Sequence, residues 1–295
     1  IHIDKKMVMR EPNIKERISK SDNIFVLDKS VSASLDNWSL IIATMELIKE
    51  TKKVERELGT KYIYFALLSA QDYPIKSMDY ILKELSVIYP KPIIDCTPYD
   101  KKNWLFNKFN RLEIQNRFDC FVNNVVDRGL VRKVIKLPFY SFFYLLNKFY
   151  TPYNKLRKLG IGLYGGSAWW ILPDKVIDFI HEEYNKPQNK FIRALKHTFT
   201  PEETFFQIMT MRTQLSELVD VNSEDAVEQN CMTYAYFSDE NKQFKGHPYI
   251  ITSKEYPILT ELEHFFARKF DITIDNMVLE LINENILYKT EGDQK

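Results

Sequence analysis

Two adjacent carboxylates, Glu202 and Glu203, follow Thr200-Pro201 in the stretch 198–207, T-F-T-P-E-E-T-F-F-Q. A carboxylate held beside a nucleophilic hydroxyl can take its proton as a new bond forms, which is general-base chemistry. The same residues also make an ordinary helix start. Pro201 suits the first turn, Thr200 the N-cap and Glu203 the third position of a capping box, with Phe205-Phe206 carrying the helix into a core. Both readings stand on spacing alone. The pair does not suit a glycosidase, because neighbours on a helix do not face each other across a scissile bond.

A second pair, Arg268-Lys269, lies between Phe266-Ala267 and Phe270. Cations at a helix C-terminus favour the negative end of its dipole. Held among aromatic core residues, the same cations suit a diphosphate, Arg by forking onto oxygens and Lys as a point charge. Asp4 ends the alternating run I-H-I-D, and Asp72 lies in the loop S-A-Q-D-Y-P-I-K at 69–76. Asp72 reads equally as turn chemistry before a helix and as part of a ligand loop. Gly165-Gly166-Ser167 permits close backbone approach, but it lacks the spacing of a phosphate-cradling loop. Trp169 and Trp170 follow.

Composition narrows the field. With 45% hydrophobic and 27% charged residues in 295, the chain is globular and long enough for a sizeable core. A net charge of +1 provides no global field to steer it to nucleic acid. Three widely spaced cysteines, with no C-x-x-C pair, point to free thiols in a reducing compartment, and no apolar run is long enough to span a membrane. We expect a cytoplasmic protein at the inner face of a membrane, or the luminal part of a protein whose anchor has been removed. No histidine spacing makes a zinc site.

The elements that must position these residues alternate. Strands are expected at 1–4, 23–27, 61–68, 92–95, 161–167, 231–237 and 249–252. Of these, 61–68 (K-Y-I-Y-F-A-L-L) looks like a buried parallel strand. Helices are expected at 37–57, 77–87, 173–184, 190–197, 253–266 and 275–288. This alternation describes an open α/β sheet, whose ligands gather at strand carboxyl ends. The abrupt opening on a strand leads us to expect a preceding segment. Residues 101–160 are different material. Between 128 and 160 there are eight Lys or Arg, eight aromatics and no Asp or Glu. That composition suits an interfacial helix on an anionic membrane, or a helical insertion with aromatics packed inward; nucleic acid is the weakest option.

Five stretches, in order, carry a resemblance: I-H-I-D at 1–4, S-A-Q-D-Y-P-I-K-S at 69–77, G-G-S-A-W-W at 165–170, T-P-E-E at 200–203 and F-A-R-K-F-D at 266–271. Together they resemble glycosyltransferase family 14, the core-2/I-branching β-1,6-N-acetylglucosaminyltransferases and their xylosyltransferase relatives. The resemblance implies one GT-A-like domain over 1–295, an open mixed sheet flanked by helices, with 101–160 as a basic-aromatic helical insertion. It further implies a UDP-sugar donor, GlcNAc by default, and inverting, metal-independent transfer to a hydroxyl of a glycan. The absence of any D-x-D pair agrees with the last point.

By the same resemblance Glu203 is the catalytic base, Lys269 contacts the diphosphate with Arg268 beside it, and Asp4 lies near the nucleotide. Asp72, Trp169, Tyr234 and Tyr236 fall on the acceptor side. The basic-aromatic stretch implies an acceptor carried on a membrane lipid in surface polysaccharide synthesis. Two departures stand out. The family's second diphosphate arginine would fall at Gly246-His247, where Lys245 or Arg268 must substitute. Leu35-Asp36-Asn37 replaces its tryptophan-glycine helix start. From the missing arginine and the abrupt opening of the chain, the alternative is a non-catalytic membrane-surface or glycan-binding protein that keeps the fold.

Overall fold

A computed structural model describes residues 1–19, 23–34, 37–99, 118, 121, 122, 129–196, 198, 200–222, 230–237 and 248–287. Lys245, Gly246, His247 and Cys120 lie outside these residues, as do Leu35 and Asp36. The architecture is mixed α/β, with three small sheets flanked by helices rather than one open sheet.

The strands in chain order are β1 (Tyr64–Ala66), β2 (Asp72–Pro74), β3 (Ile93–Ile94), β4 (Thr97–Tyr99), β5 (Leu163–Gly165), β6 (Trp170–Pro173), β7 (Thr233–Ala235) and β8 (Phe266–Arg268). The first sheet has the order β1-β6-β3, the second β2-β8-β7, and β4 pairs with β5. Only β7 with β8 is parallel among these pairs. The run 61–68 is therefore neither parallel nor buried. Its centre, β1, is an edge strand antiparallel to β6, and Ile63 and Leu68 are exposed. The fully buried W-I-L-P of β6 takes the central place instead.

Helices with strong local signals form where their periodicity predicts. Ser39–Leu58 buries Ile41, Met45 and Ile48, spaced by helical turns, and ends on Gly59 in the left-handed conformation (φ 62°) that glycine adopts without steric cost. Met78–Ile88 is N-capped by Ser77, whose side chain accepts from the Tyr80 N–H at 3.3 Å. Asp174–Asn185 buries Val176, Ile177 and Ile180. The first and third of these helices pack with β6 and the helix Phe205–Thr210 around Phe205 and Phe206, whose rings meet edge to face at 5.0 Å, while Met78–Ile88 packs through Ile81 and Leu85 against Ile93, Ile171 and Phe265. Truncating either phenylalanine costs about 3–5 kcal/mol.

Several expected elements are absent or displaced. Residues 1–3 do not form a strand; Asp4 instead N-caps the helix Lys5–Arg10. Residues 23–27 and 249–252 form no strand, although Tyr249 N–H reaches the Tyr236 carbonyl at 2.8 Å. The helix expected at 253–266 stops at Glu261, and Phe266–Arg268 is a strand. Arg268 and Lys269 thus do not sit on a helix C-terminus. Of residues 101–160, the described part includes the helices Gly129–Tyr150 and Pro152–Lys158.

Candidate active site

The second sheet brings one cluster together. Asp72 on β2 stands directly across from Arg268 on β8. The Asp72 carboxylate has no solvent exposure and accepts from Arg268 Nε at 3.2 Å, Trp169 Nε1 at 2.6 Å and Ser69 Oγ at 2.8 Å. Arg268 in turn lies flat over the Trp169 ring, 3.5 Å from its centroid. Asp72 is therefore neither a simple turn former nor an exposed acceptor contact; it fixes Trp169 and Arg268 relative to each other. Trp170 points the other way, into the core, 4.8 Å from Phe206.

Lys269 follows Arg268 and differs from it. It makes no ion pair with a carboxylate among the described residues. Burial, and then the neighbouring Arg268 charge, hold its ammonium below the ordinary lysine range against the pull of Asp72. A half-buried cation so placed gains most from an anion brought in from outside. The Arg268–Lys269 peptide bond is cis.

Glu203 is reached by a different route. Thr200 adopts φ 48°, and its hydroxyl is buried without a partner, so the expected capping box does not form. Instead Pro201–Glu203 is a 3-10 turn in which Glu203 N–H donates to the Thr200 carbonyl at 3.1 Å; the α-helix starts only at Phe205. Left-handed backbone on a threonine costs about 1–2 kcal/mol, and such strain gathers at functional sites. The turn presents the Glu203 carbonyl to Gly166 N–H at 2.9 Å. A Cβ on Gly166 would stand 2.2 Å from the Asp95 carbonyl oxygen, and one on Gly165 3.1 Å from that of Glu203. Close approach, rather than unusual dihedrals, is what these glycines provide.

The same turn joins the two halves of the site. Gly166 holds Glu203, while Trp169 holds Arg268 and Asp72, and three residues of chain reach at most about 11 Å. Gln207, fully buried, donates from Nε2 to the Ser167 carbonyl at 2.7 Å and keeps its Oε1 unpartnered.

Asp95 was not foreseen. It follows β3, packs under Gly166 and accepts from Cys231 N–H at 3.1 Å. Burial pushes its carboxyl up to about 6, against hydrogen bonds from the Cys231 thiol and the backbone of Asn230, Cys231 and Ser167. The signal was an acid closing the apolar run Ile93-Ile94, the pattern that drew attention to Asp4.

The remaining candidates are less central. Tyr234 pairs in register with Ala267, and its ring meets His264 edge-on at 5.5 Å. Tyr236 N–H reaches the Arg268 carbonyl at 3.4 Å. Both are half-buried beside the cation pair. Asp4 is spent locally: it accepts from Lys6 N–H at 2.7 Å and Ala33 N–H at 2.8 Å. Burial pushes its carboxyl up, but those two hydrogen bonds outweigh it and hold the group below the usual range. None of its hydrogen bonds joins it to Arg268 or Lys269. Among the described residues no cluster of three or more His, Cys, Asp or Glu could hold a metal ion.

Comparison with known proteins gives a consistent answer. The family model "Branch: Core-2/I-Branching enzyme" matches residues 1–256, a range that contains every residue above except Ala267 and its neighbours from His264 to Lys269. The human β-1,3-galactosyl-O-glycosyl-glycoprotein β-1,6-N-acetylglucosaminyltransferase is 18% identical over 288 residues, covering 90% of this chain and 58% of the relative. The Bos taurus protein of the same name is 20% identical over 287 residues, with the same coverage of 90% and 58%. The chain spans somewhat more than half the length of these relatives. With the family model matching most of its length, the chain belongs to the core-2/I-branching enzyme family.

Proposed function

We propose that this chain is a glycosyltransferase of GT-A-like fold that moves a sugar, by default GlcNAc, from a UDP-sugar to a hydroxyl of a glycan. The observation that carries this reading is Lys269, a half-buried cation with no carboxylate partner among the described residues, tied through the turn 165–169 to the segment bearing Glu203. The relatives that carry the name N-acetylglucosaminyltransferase support the choice of sugar.

In this reading Glu203 takes the proton of the acceptor hydroxyl as its oxygen bonds to the anomeric carbon. The bond from that carbon to the diphosphate breaks on the opposite face, its electron pair leaves with UDP, and the configuration inverts. Lys269 offsets the charge growing on the diphosphate, so the step needs no metal. Arg268 is already paired with Asp72 and contributes by adding to the field at Lys269 and by holding Trp169. Trp169, Tyr234 and Tyr236 offer the aromatic surfaces on which a sugar ring stacks, which supports an acceptor side there. Asp4 N-caps its own helix, and its place at the nucleotide end rests on the resemblance alone. The acceptor is a lipid-linked glycan of surface polysaccharide synthesis, met at the cytoplasmic face of the membrane; the free, buried thiols Cys96 and Cys231 support that compartment.

The test is calorimetric titration of UDP with EDTA present, followed by a transfer assay with UDP-GlcNAc. Binding should survive EDTA. Glu203→Gln should keep that binding and lower transfer by about 10²–10⁴-fold, the range for loss of a general base. A wild type that binds no UDP would favour the non-catalytic alternative, and a Glu203→Gln enzyme with full activity would remove Glu203 as the base.

A further inference from the structure

Among its described side chains, the helix Gly129–Tyr150 carries most of its apolar residues on the outside, the reverse of an ordinary surface helix. Phe143 is 5% exposed, with its ring 5.6 Å from that of Phe118, and Lys136 is buried. Leu137 and Leu145 are 68% and 57% exposed, and Val134, Phe142 and Tyr144 are exposed as well. At about 100° per residue, Val134, Leu137 and Leu145 fall within about 80° of arc, with Phe143 opposite them. Water on such a stripe is unfavourable, so a partner of apolar character fits it.

Charge narrows the partner. The helix sequence carries Arg132, Lys133, Lys136 and Lys148 and no acid. The next helix, Pro152–Lys158, exposes Arg157 and Lys158 at its end. Across 128–160 there are eight cations and no acid. Apolar side chains flanked by cations alone match the acyl–headgroup boundary of an anionic bilayer. Among the described residues no helix is long and apolar enough to cross a membrane, so this one would lie in the interface.

We propose that the face marked by Val134, Leu137, Phe142 and Leu145 docks the chain on an anionic membrane surface, with Arg157 and Lys158 at the level of the phosphates. The inference gives the proposed lipid-linked acceptor a physical means of delivery and rests on that reading only there. Docking itself is measured without transfer, so the two can fail separately.

The experiment is co-sedimentation of the full chain with vesicles of phosphatidylcholine alone and of equimolar phosphatidylcholine and phosphatidylglycerol, at low and high salt. Wild type should pellet with the anionic vesicles and be released by salt. The double variant Leu137→Glu/Leu145→Glu should bind about tenfold more weakly or worse, since it replaces two membrane-buried side chains. Arg157→Glu/Lys158→Glu should also lose about tenfold, through charge. Both pairs are exposed, so thermal unfolding should be unchanged, and UDP titration checks the nucleotide site independently. Failure to pellet with anionic vesicles at low salt overturns the proposal. So does binding that the leucine substitutions leave intact while a soluble polyanion competes it away, which would make the patch a polyanion groove. A face that instead drives self-association, seen by sedimentation velocity and abolished by Leu137→Glu/Leu145→Glu without any vesicle binding, overturns it too.

Discussion

Two arginines in this chain are held in nearly the same way. Arg212 lies 3.5 Å from the centroid of Phe191 and donates to Glu183 at 2.8 Å. Arg268 lies 3.5 Å from the centroid of Trp169 and donates to Asp72 at 3.2 Å. The difference is in what surrounds each pair. Glu183 also receives Lys186 and the Asn189 amide, so each of these neighbours touches the carboxylate. Beside Arg268 stands Lys269, a cation that reaches no carboxylate among the described residues. The first cluster closes on itself and ties the helix Asp174–Asn185 to Arg212. The second carries the same excess of one cation, but there the second cation, Lys269, makes no carboxylate contact among the described residues, which leaves it available to an anion. An arginine on an aromatic ring is therefore no mark of function; a neighbouring cation without a carboxylate contact is the feature that differs.

The largest expected effect tests the closed cluster. Arg212→Leu leaves the buried Glu183 with Lys186 and the Asn189 amide, removes the packing over Phe191, and should cost about 2–4 kcal/mol in denaturant unfolding, while UDP affinity stays at the wild-type value. A variant that unfolds normally but loses UDP would break the comparison. The pH dependence has a definite sign. Burial alone would raise the Glu183 carboxyl, but Lys186, Arg212 and Asn189 together hold it down to about 2. Its stabilisation is present above the ordinary carboxylate pKa and is lost as pH falls toward about 2.

Asp95 gives the opposite case, a buried carboxylate met by neutral donors only, and raised to about 6. A raised acid favours the folded state while protonated, so its contribution is present below the unfolded pKa and is lost as pH rises through about 6. Compared with wild type, Asp95→Asn should therefore gain stability between about pH 4 and pH 6, by roughly 2–3 kcal/mol. Melting temperatures across that window would measure it. A constant offset at all pH values would mean that Asp95 does not titrate there.

The smallest effect on stability should come from Lys269→Ala. Removing a partly desolvated cation with no carboxylate partner should leave unfolding within about 0.5 kcal/mol of wild type or raise it slightly. UDP affinity should still fall by about 10–100-fold, the worth of one hydrogen bond to a charged group. Such a split, strong on binding and nearly silent on folding, is the mirror image of Arg212→Leu. Equal losses in both measurements would show that the two clusters do not differ in kind.

Much of the candidate site was legible before the fold was known. Glu203, the Gly-Gly-Ser turn and Lys269 stand in short stretches whose residue types already limit what they can do. The helices 39–58, 78–88 and 174–185 follow from apolar spacing and local caps, which act within a few residues. The strand expectations fared worse, because a strand gets its meaning from a partner far away in the chain. The aromatic run around β1 looked central until β6, four buried residues, took that place. The stretch before Arg268 carried helical spacing, yet pairing with β2 and β7 drew Phe266–Arg268 into a sheet.

Residue identity by itself determined which groups can move a proton, hold an anion or let two backbones touch. Tertiary structure alone decided which of them meet. Asp72, Trp169 and Arg268 lie 97 and 196 residues apart from first to second and from first to third, and only the pairing of β2 with β8, with Trp169 just before β6 reaching Asp72, makes them one cluster. Asp4, an equally good acid by composition, was left to cap its own helix. Asp95 acquired its raised pKa from burial, a property that no residue has until the chain has closed around it.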